Sequence, residues 1–454
     1  GAGQTRQLAR IACHLRYADL DSRSRHAARR HILDTLGACI AGSGQRVTEV
    51  AAAVLAASAG PMPVPGRQER LDPFSAAYLT GTSAHGLELD DGFRAGSVHP
   101  GATVLPAGLA AAYDTGADGK AFMTAVVAGY EVVARIAVAG QPALRRRGFH
   151  ATATVGVFGA AAAAGALLGL GEQAMANTFG LASSSAAGLF AFLNGAADVK
   201  RLHAGHAARE GLMAARLAER GMAGPPRALE CRDGFFQAFA GADPGSGHDL
   251  GGDEFAEAQG LAITRCYIKP HACCRHIQPA LDALLEIVRT QDLTPAGVKE
   301  IHVGTYGLAA AHAETGWADM ASAQLSFPFV LATGLHKGAV TLDHFSEACR
   351  GDPNVLADCA KIKVAIDSEC ESGYPRLRPA KVTLRTTAGQ TFRRRIDEPY
   401  GAPDNPVTDE ALGAKYLDLA GRRLGAERAR ESLALLWRLD ELTSIKDLVD
   451  ALAG

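Results

Sequence analysis

Apolar residues return every three or four positions through most of residues 1–262, the spacing that lines one face of an α-helix. The pattern predicts helices over Ser24–Ala41, Val47–Ala57, Pro73–Leu87, Ala102–Asp114, Gly119–Val138, Thr154–Leu168, Glu172–Ser184 and Gly205–Arg220. Asp72-Pro73 reads as a helix start, with Asp as the capping side chain and Pro at the first helical position. Gly171 and Gly221 stand where helices should end. After Thr264 the period falls towards two. Val298–Tyr306 (VKEIHVGTY), Lys361–Ile366, Lys381–Thr386 and Thr391–Ile396 alternate as strands do, and Thr387-Ala388-Gly389-Gln390 joins the last two as a hairpin. Helical stretches at Pro279–Thr290, Gln324–Leu335 and Asp343–Ala348 lie among them. A turn-rich segment, Glu398–Pro406, precedes a final helical region from Asp409 to Ala453, with Thr408 as its cap. The expected fold class is mainly α. A large all-helical domain would be built from residues 1–262 together with 403–454, and a smaller α+β lid domain from 263–402.

Composition narrows the class of protein. The chain has 454 residues, 48% of them hydrophobic and 21% charged, enough for two domains with sizeable cores. A net charge of −2 gives no whole-molecule field that would attract nucleic acid. The run Ala151–Gly171 is uncharged and long enough to span a bilayer, but it is mostly Ala, Gly and Thr. A helix buried in a tightly packed core is expected there, and no membrane partner. Nine cysteines, an odd number, lie without C-x2-C spacing, and the adjacent pair Cys273-Cys274 is poor geometry for one metal. No secretory leader is visible at the start of the sequence. Reduced thiols and a cytoplasmic setting are therefore expected, with no metal site.

Four loops carry the candidate chemistry. Ser83–Ala107 (SAHGLELDDGFRAGSVHPGATVLPA) places Glu88, Asp90 and Asp91 just upstream of His99, a set suited to moving protons near neutral pH. A helix cap is the structural alternative for Asp90 or Asp91 alone. In RRRGFHATATVG, His150 stands by itself before an apolar helix, where a buried structural imidazole is the plainer reading. DVKRLHAGHAAR brings Lys200 and His203 three residues apart, with Gly205 expected to open a helix whose N-terminus would favour a carboxylate. YIKPHACCRHIQPALD offers Lys269, Cys274, Arg275 and His276 ahead of a helix starting near Gln278, and Arg275 has the fork that grips carboxylates. No glycine-rich dinucleotide motif, phosphate-binding loop or nucleophile elbow is present.

Five motifs in this order, HGLELDDGF…HPGATVLPA, FHATATVGVFGAAAAAGALLG, DVKRLHAGHAAREG, IKPHACCRHIQPALDA and GAPDNPVTDEALGAKY, resemble the MmgE/PrpD family. That family includes 2-methylcitrate dehydratases, cis-aconitate decarboxylases and iminodisuccinate epimerases. The resemblance spans nearly the whole chain. It implies an enzyme without a cofactor, usually a homodimer, acting on small di- or tricarboxylates in a cleft between a helical domain and a lid. It also implies catalytic or substrate roles for Glu88, Gly92, His99, His150, Lys200 and Lys269. The chain departs from the family pattern in places. Glu88 replaces the usual Asp, Gly92 the frequent Thr or Ser, and Arg201 the Pro that usually follows the lysine. Phe329 of SFPFV stands where many members carry a Tyr near the substrate.

The resemblance makes a cofactor-independent lyase the first expectation, of dehydratase or decarboxylase type. Lys200, Lys269 and Arg275 would neutralise the substrate's carboxylates, which stabilises charge developing on the adjacent carbon. His99 or His150 would take or return the proton, with Glu88 or Asp91 orienting an imidazole. His203, Gly92, Cys274 and Phe329 complete the candidate substrate contacts. An epimerase of dicarboxylates and a non-catalytic carboxylate-binding protein are the alternatives.

Overall fold

A computed structural model of the protein describes residues 3–194, 198–242, 250, 255 and 260–454. It divides into two units. The larger comprises Gly1–Gly86, Asp90–Ile268 and Thr408–Gly454, and the smaller comprises Leu87–Leu89 and Lys269–Val407. The tripeptide Leu87–Leu89 thus groups with the smaller unit although its chain neighbours belong to the larger one. Periodicity alone had placed Leu87 at the end of a helix and Glu88 in the loop that follows.

In the larger unit, helix Asp198–Glu219 packs on Gly156–Leu167 and Pro73–Ala84, while Gly156–Leu167 also packs on Gly101–Thr115 and Gly119–Gly140. Small residues let these axes approach closely. A Cβ on Gly205 would lie 2.2 Å from the Tyr78 carbonyl oxygen, so only glycine fits against the neighbouring helix. Gly205 is therefore a packing residue within helix Asp198–Glu219, which begins seven residues earlier than its expected opener. The expected helix from Thr154 is likewise split, into Ala151–Thr154 and Gly156–Leu167, both buried. Helix Gly119–Gly140 is long and apolar enough to cross a membrane, yet 78% of its most apolar window is buried inside the protein.

Asp21, Asp72 and Asp118 each cap a helix by accepting a backbone N–H from its first turn. Helix Gln4–His14 and a two-stranded ribbon of Ala59–Pro63 with Arg70–Leu71 are among the elements that escaped the sequence pattern. The terminal helices Asp409–Leu424, Ala426–Trp437 and Ile445–Leu452 rejoin this unit. Asp409–Leu424 lies on Ser22–Gly42, where Lys415 Nζ meets the buried Asp34 Oδ1 at 2.6 Å. Burial pushes the Asp34 carboxyl up and the Lys415 charge opposes it.

The smaller unit holds a four-stranded sheet in the order Ile362–Ile366, Val298–Thr305, Ala380–Thr386, Thr391–Ile396. Its first pair is parallel and the other two are antiparallel. Ile301, Val303, Ala380, Val382 and Leu384 turn to the buried face, as period-two alternation requires, and Val298 is buried beyond a register shift between it and Glu300. Helix Gln278–Thr290 covers the last two strands, and Phe327–Lys337 packs against it. Phe329 is fully buried in this layer, between the rings of Trp317 and Phe345. The structure gives it a core-packing role in place of the expected substrate contact.

Candidate active site

Helix Pro73–Ala84 stops at His85, whose backbone leaves the helical region. This early stop lets His85 turn into the interior. Its Nδ1 lies 2.7 Å from Asp90 Oδ2, and its Nε2 is buried with no hydrogen-bond partner among the described residues. The ring packs against those of His99 and His150, at centroid distances of 5.2 and 5.8 Å. Sequence reasoning passed over His85 because periodicity assigned it to the helix. The signal that could have found it is its place five residues before Asp90 in the same acid-bearing loop.

His99 has different surroundings. Its Nδ1 donates to the Asp91 carbonyl oxygen at 2.6 Å and lies 3.5 Å from Asp90 Oδ2. The bond to a carbonyl, which can only accept, fixes the proton on Nδ1 and leaves Nε2 as the base. The Asp90 carboxylate therefore touches two imidazoles. His99 keeps 17% of its side chain exposed against 1% for His85, so it is the imidazole of this pair open to a ligand.

His150 caps the short helix Ala151–Thr154 and is held by its own N–H to the Gly188 carbonyl, at 3.0 Å. Its Nδ1 shares a proton with His203 Nδ1 at 2.8 Å, and the rings of Phe190 and Phe192 enclose it. Burial holds the His150 imidazole well below its ordinary range, with His85 and His203 adding to the effect. Burial likewise lowers His85 and His203 to about 4, against the pull of Asp90 in the first case and with help from His85 in the second. These three imidazoles are neutral at pH 7. Lys200, in the first turn of Asp198–Glu219, is close enough for its charge to depress both His85 and His203. Arg201 ties that turn to the chain after His85 by donating from Nε to the Gly86 carbonyl at 2.7 Å.

The acids divide their work differently from the sequence expectation. The Asp91 side chain is fully buried, and its Oδ2 takes Tyr130 Oη at 2.6 Å and His31 Nδ1 at 2.8 Å. Its Oδ1 accepts the Gly101 N–H at 3.0 Å, anchoring the start of helix Gly101–Thr115. Asp91 orients His99 only through its backbone, and Asp90 supplies the carboxylate. Gly92 pairs with Tyr267 through two backbone hydrogen bonds, and a Cβ at residue 92 would sit 2.2 Å from Tyr267 Oη. The Tyr267 phenol fills the space that a side chain at 92 needs. Gly92→Thr is expected to cost about 1–3 kcal/mol through overpacking, read as a lower urea midpoint. The double variant with Tyr267→Ala should recover most of that loss, and an unchanged midpoint in the single variant removes the clash.

In the smaller unit, Glu88 carries a left-handed backbone (φ 56°), costly for a residue with a Cβ. Its Oε2 lies 3.4 Å from Nζ of the buried Lys269. Arg275 donates to Gln278 Oε1 at 2.6 Å and to the carbonyls of Tyr400 and Pro399 at 2.8 and 3.2 Å. Its fork therefore ties two loops together where a substrate grip was expected. Cys274 is buried with its Sγ 3.8 Å from His312 Nε2.

Three buried, neutral imidazoles beside a fourth that is partly exposed and backed by a carboxylate are equipment suited to moving protons. Residues 6–246 match the MmgE/PrpD N-terminal domain and residues 271–441 the MmgE/PrpD C-terminal domain. The chain belongs to the MmgE/PrpD family and is an enzyme. It is 28% identical over 476 residues to cis-aconitate decarboxylase of Aspergillus terreus, covering 99% of this chain and 96% of that protein. Human cis-aconitate decarboxylase is 26% identical over 452 residues, covering 97% and 92%. A cis-aconitate decarboxylase-like protein of Aspergillus oryzae is 27% identical over 474 residues, covering 99% and 97%.

Proposed function

We propose that this enzyme is a lyase acting on a small di- or tricarboxylate, with cis-aconitate the first candidate. The observation that carries the reading is the His99 imidazole, partly exposed, fixed with its proton on Nδ1 and set against the Asp90 carboxylate among neutral histidines. The decarboxylase relatives, aligned over nearly the full chain, support the reaction class.

In this reading Lys200 attracts a substrate carboxylate and stabilises charge that develops on the neighbouring carbon. In a decarboxylation, the carbon–carboxylate bond breaks, CO2 leaves, and the electron pair remains on the conjugated carbon framework. A proton carried by the protonated His99 then quenches that carbanion, and solvent reprotonates the imidazole. In a dehydration the same Nε2 removes the carbon-bound proton, the electron pair forms the double bond, and the imidazolium gives that proton to the departing hydroxyl, which leaves as water. Asp90 favours the imidazolium in either case, since a carboxylate beside Nδ1 stabilises positive charge on the ring. Burial of His85 and His150 keeps further positive charge from accumulating beside it.

The test is NMR in deuterated buffer with cis-aconitate, citrate, 2-methylcitrate and iminodisuccinate offered separately. Loss of CO2 from one acid with one deuterium taken up at carbon, or loss of water with the abstracted proton released, is expected. Deuterium exchange without net elimination overturns the lyase reading in favour of an epimerase. Tight binding of an acid with no exchange overturns it in favour of a binding protein.

A further inference from the structure

The adjacent cysteines Cys273 and Cys274, in the loop before helix Gln278–Thr290, have opposite environments. Burial and the neighbouring Cys274 push the Cys273 thiol far up. Around Cys274, burial also opposes ionisation, but it is outweighed by the His312 imidazole, the His276 backbone N–H and the Lys269 charge, which bring the thiol down to about 6. The buried thiols Cys39, Cys266, Cys359 and Cys370 are pushed up by burial, so interior placement alone does not produce this state.

The pair is built into the unit. Cys274 donates its backbone N–H to the Gln324 carbonyl at 2.9 Å and accepts the Ile277 N–H at 3.0 Å. His312 stacks on His276 at 6.1 Å, His276 Nδ1 meets Tyr306 Oη at 2.5 Å, and Tyr306 stacks on Tyr374 at 4.5 Å. A chain of rings therefore holds the imidazole 3.8 Å from the sulfur. Lys269 adds a positive charge nearby, tempered by Glu88 at 3.4 Å.

We propose that Cys274 and His312 form a thiolate–imidazolium pair that serves as a covalent modification site for small carboxylate-bearing electrophiles. The inference stands independently of the lyase reading. With an α,β-unsaturated carboxylate, the sulfur forms a bond to the β-carbon and the π electrons move to the α-carbon. That carbon then takes the proton His312 received from the thiol. Thiol hydrogen and sulfur thus add across the double bond with no further reactant. Lys269 favours anionic over neutral reagents.

The probe is iodoacetate, with which the S–C bond forms, the C–I bond breaks and iodide leaves with the electron pair. Native full-length protein is alkylated across a pH series, and modification at Cys274 is read by peptide mass spectrometry. The expected rate profile has a midpoint near 6, and iodoacetate should outpace iodoacetamide once each is corrected for its rate with free cysteine. In His312→Gln burial is no longer outweighed, and the midpoint should rise to about 8.5 or above. At about pH 6 the thiolate fraction then falls at least roughly 160-fold, offset about 13-fold by the stronger nucleophilicity of a more basic sulfur, for a net loss of about 10-fold or more. Cys273→Ser should leave the profile unchanged. The ultraviolet absorbance of thiolate at neutral pH should vanish in Cys274→Ser, a reading that does not depend on the His312 variant. Labelling only after denaturation, a midpoint at or above about 8.5 in the native chain, or no thiolate absorbance lost in Cys274→Ser overturns the proposal.

Discussion

His99→Ala is expected to lower the turnover number by about 10²–10⁴-fold, the usual contribution of a positioned acid–base group, while the protein stays folded. The expectation rests on three features of the site. His99 is the partly exposed member of the imidazole pair on Asp90. Its proton is fixed on Nδ1 by the Asp91 carbonyl, so Nε2 is the working atom. Its truncation leaves the Asp91 side chain with its donors Tyr130, His31 and Gly101, so the helix start at Gly101 keeps its anchor. Steady-state kinetics on the acid identified by NMR, with circular dichroism and a urea midpoint as the folding control, checks it. A turnover number within about threefold of the parent removes His99 from the chemistry.

Asp91→Ala should produce the largest loss of stability, about 3–5 kcal/mol, by leaving buried polar groups unpaired. The carboxylate receives Tyr130 Oη, His31 Nδ1 and the Gly101 N–H, all in the interior of the larger unit. These donors come from three helices, so one substitution loosens the packing of all three. Each orphaned donor costs roughly 1–3 kcal/mol, and the losses add incompletely because the groups share one acceptor. Urea unfolding followed by circular dichroism measures the effect. A change below about 1 kcal/mol means that the network relaxes onto other acceptors, and Asp91 is then not the anchor.

Much of the candidate site was legible in the sequence. His99, His150, Lys200 and His203 were singled out from their loops, and the structure gathers their neighbourhoods in one unit around His85. Partner assignment was less legible. Three acids within four residues look interchangeable on spacing, yet Glu88 faces Lys269, Asp90 holds two imidazoles and Asp91 anchors a helix. Side-chain direction there follows from irregular backbone, including the left-handed Glu88, and no periodicity encodes it. Arg275 shows the same limit. Its bidentate fork was a sound reason to expect carboxylate binding, but the Pro399 and Tyr400 carbonyls that occupy it lie more than 120 residues away.

By itself the sequence determined the element types, most helix and strand positions and the inventory of reactive side chains. These depend on neighbours a few residues apart, where periodicity and capping chemistry act. The tertiary structure alone decided that His85 turns inward, that Tyr267 fills the space at Gly92 and that Cys273 and Cys274 differ in character. Each of these outcomes is set by burial and by atoms from distant parts of the chain. Local pattern carries no record of which distant groups packing will bring within hydrogen-bonding reach.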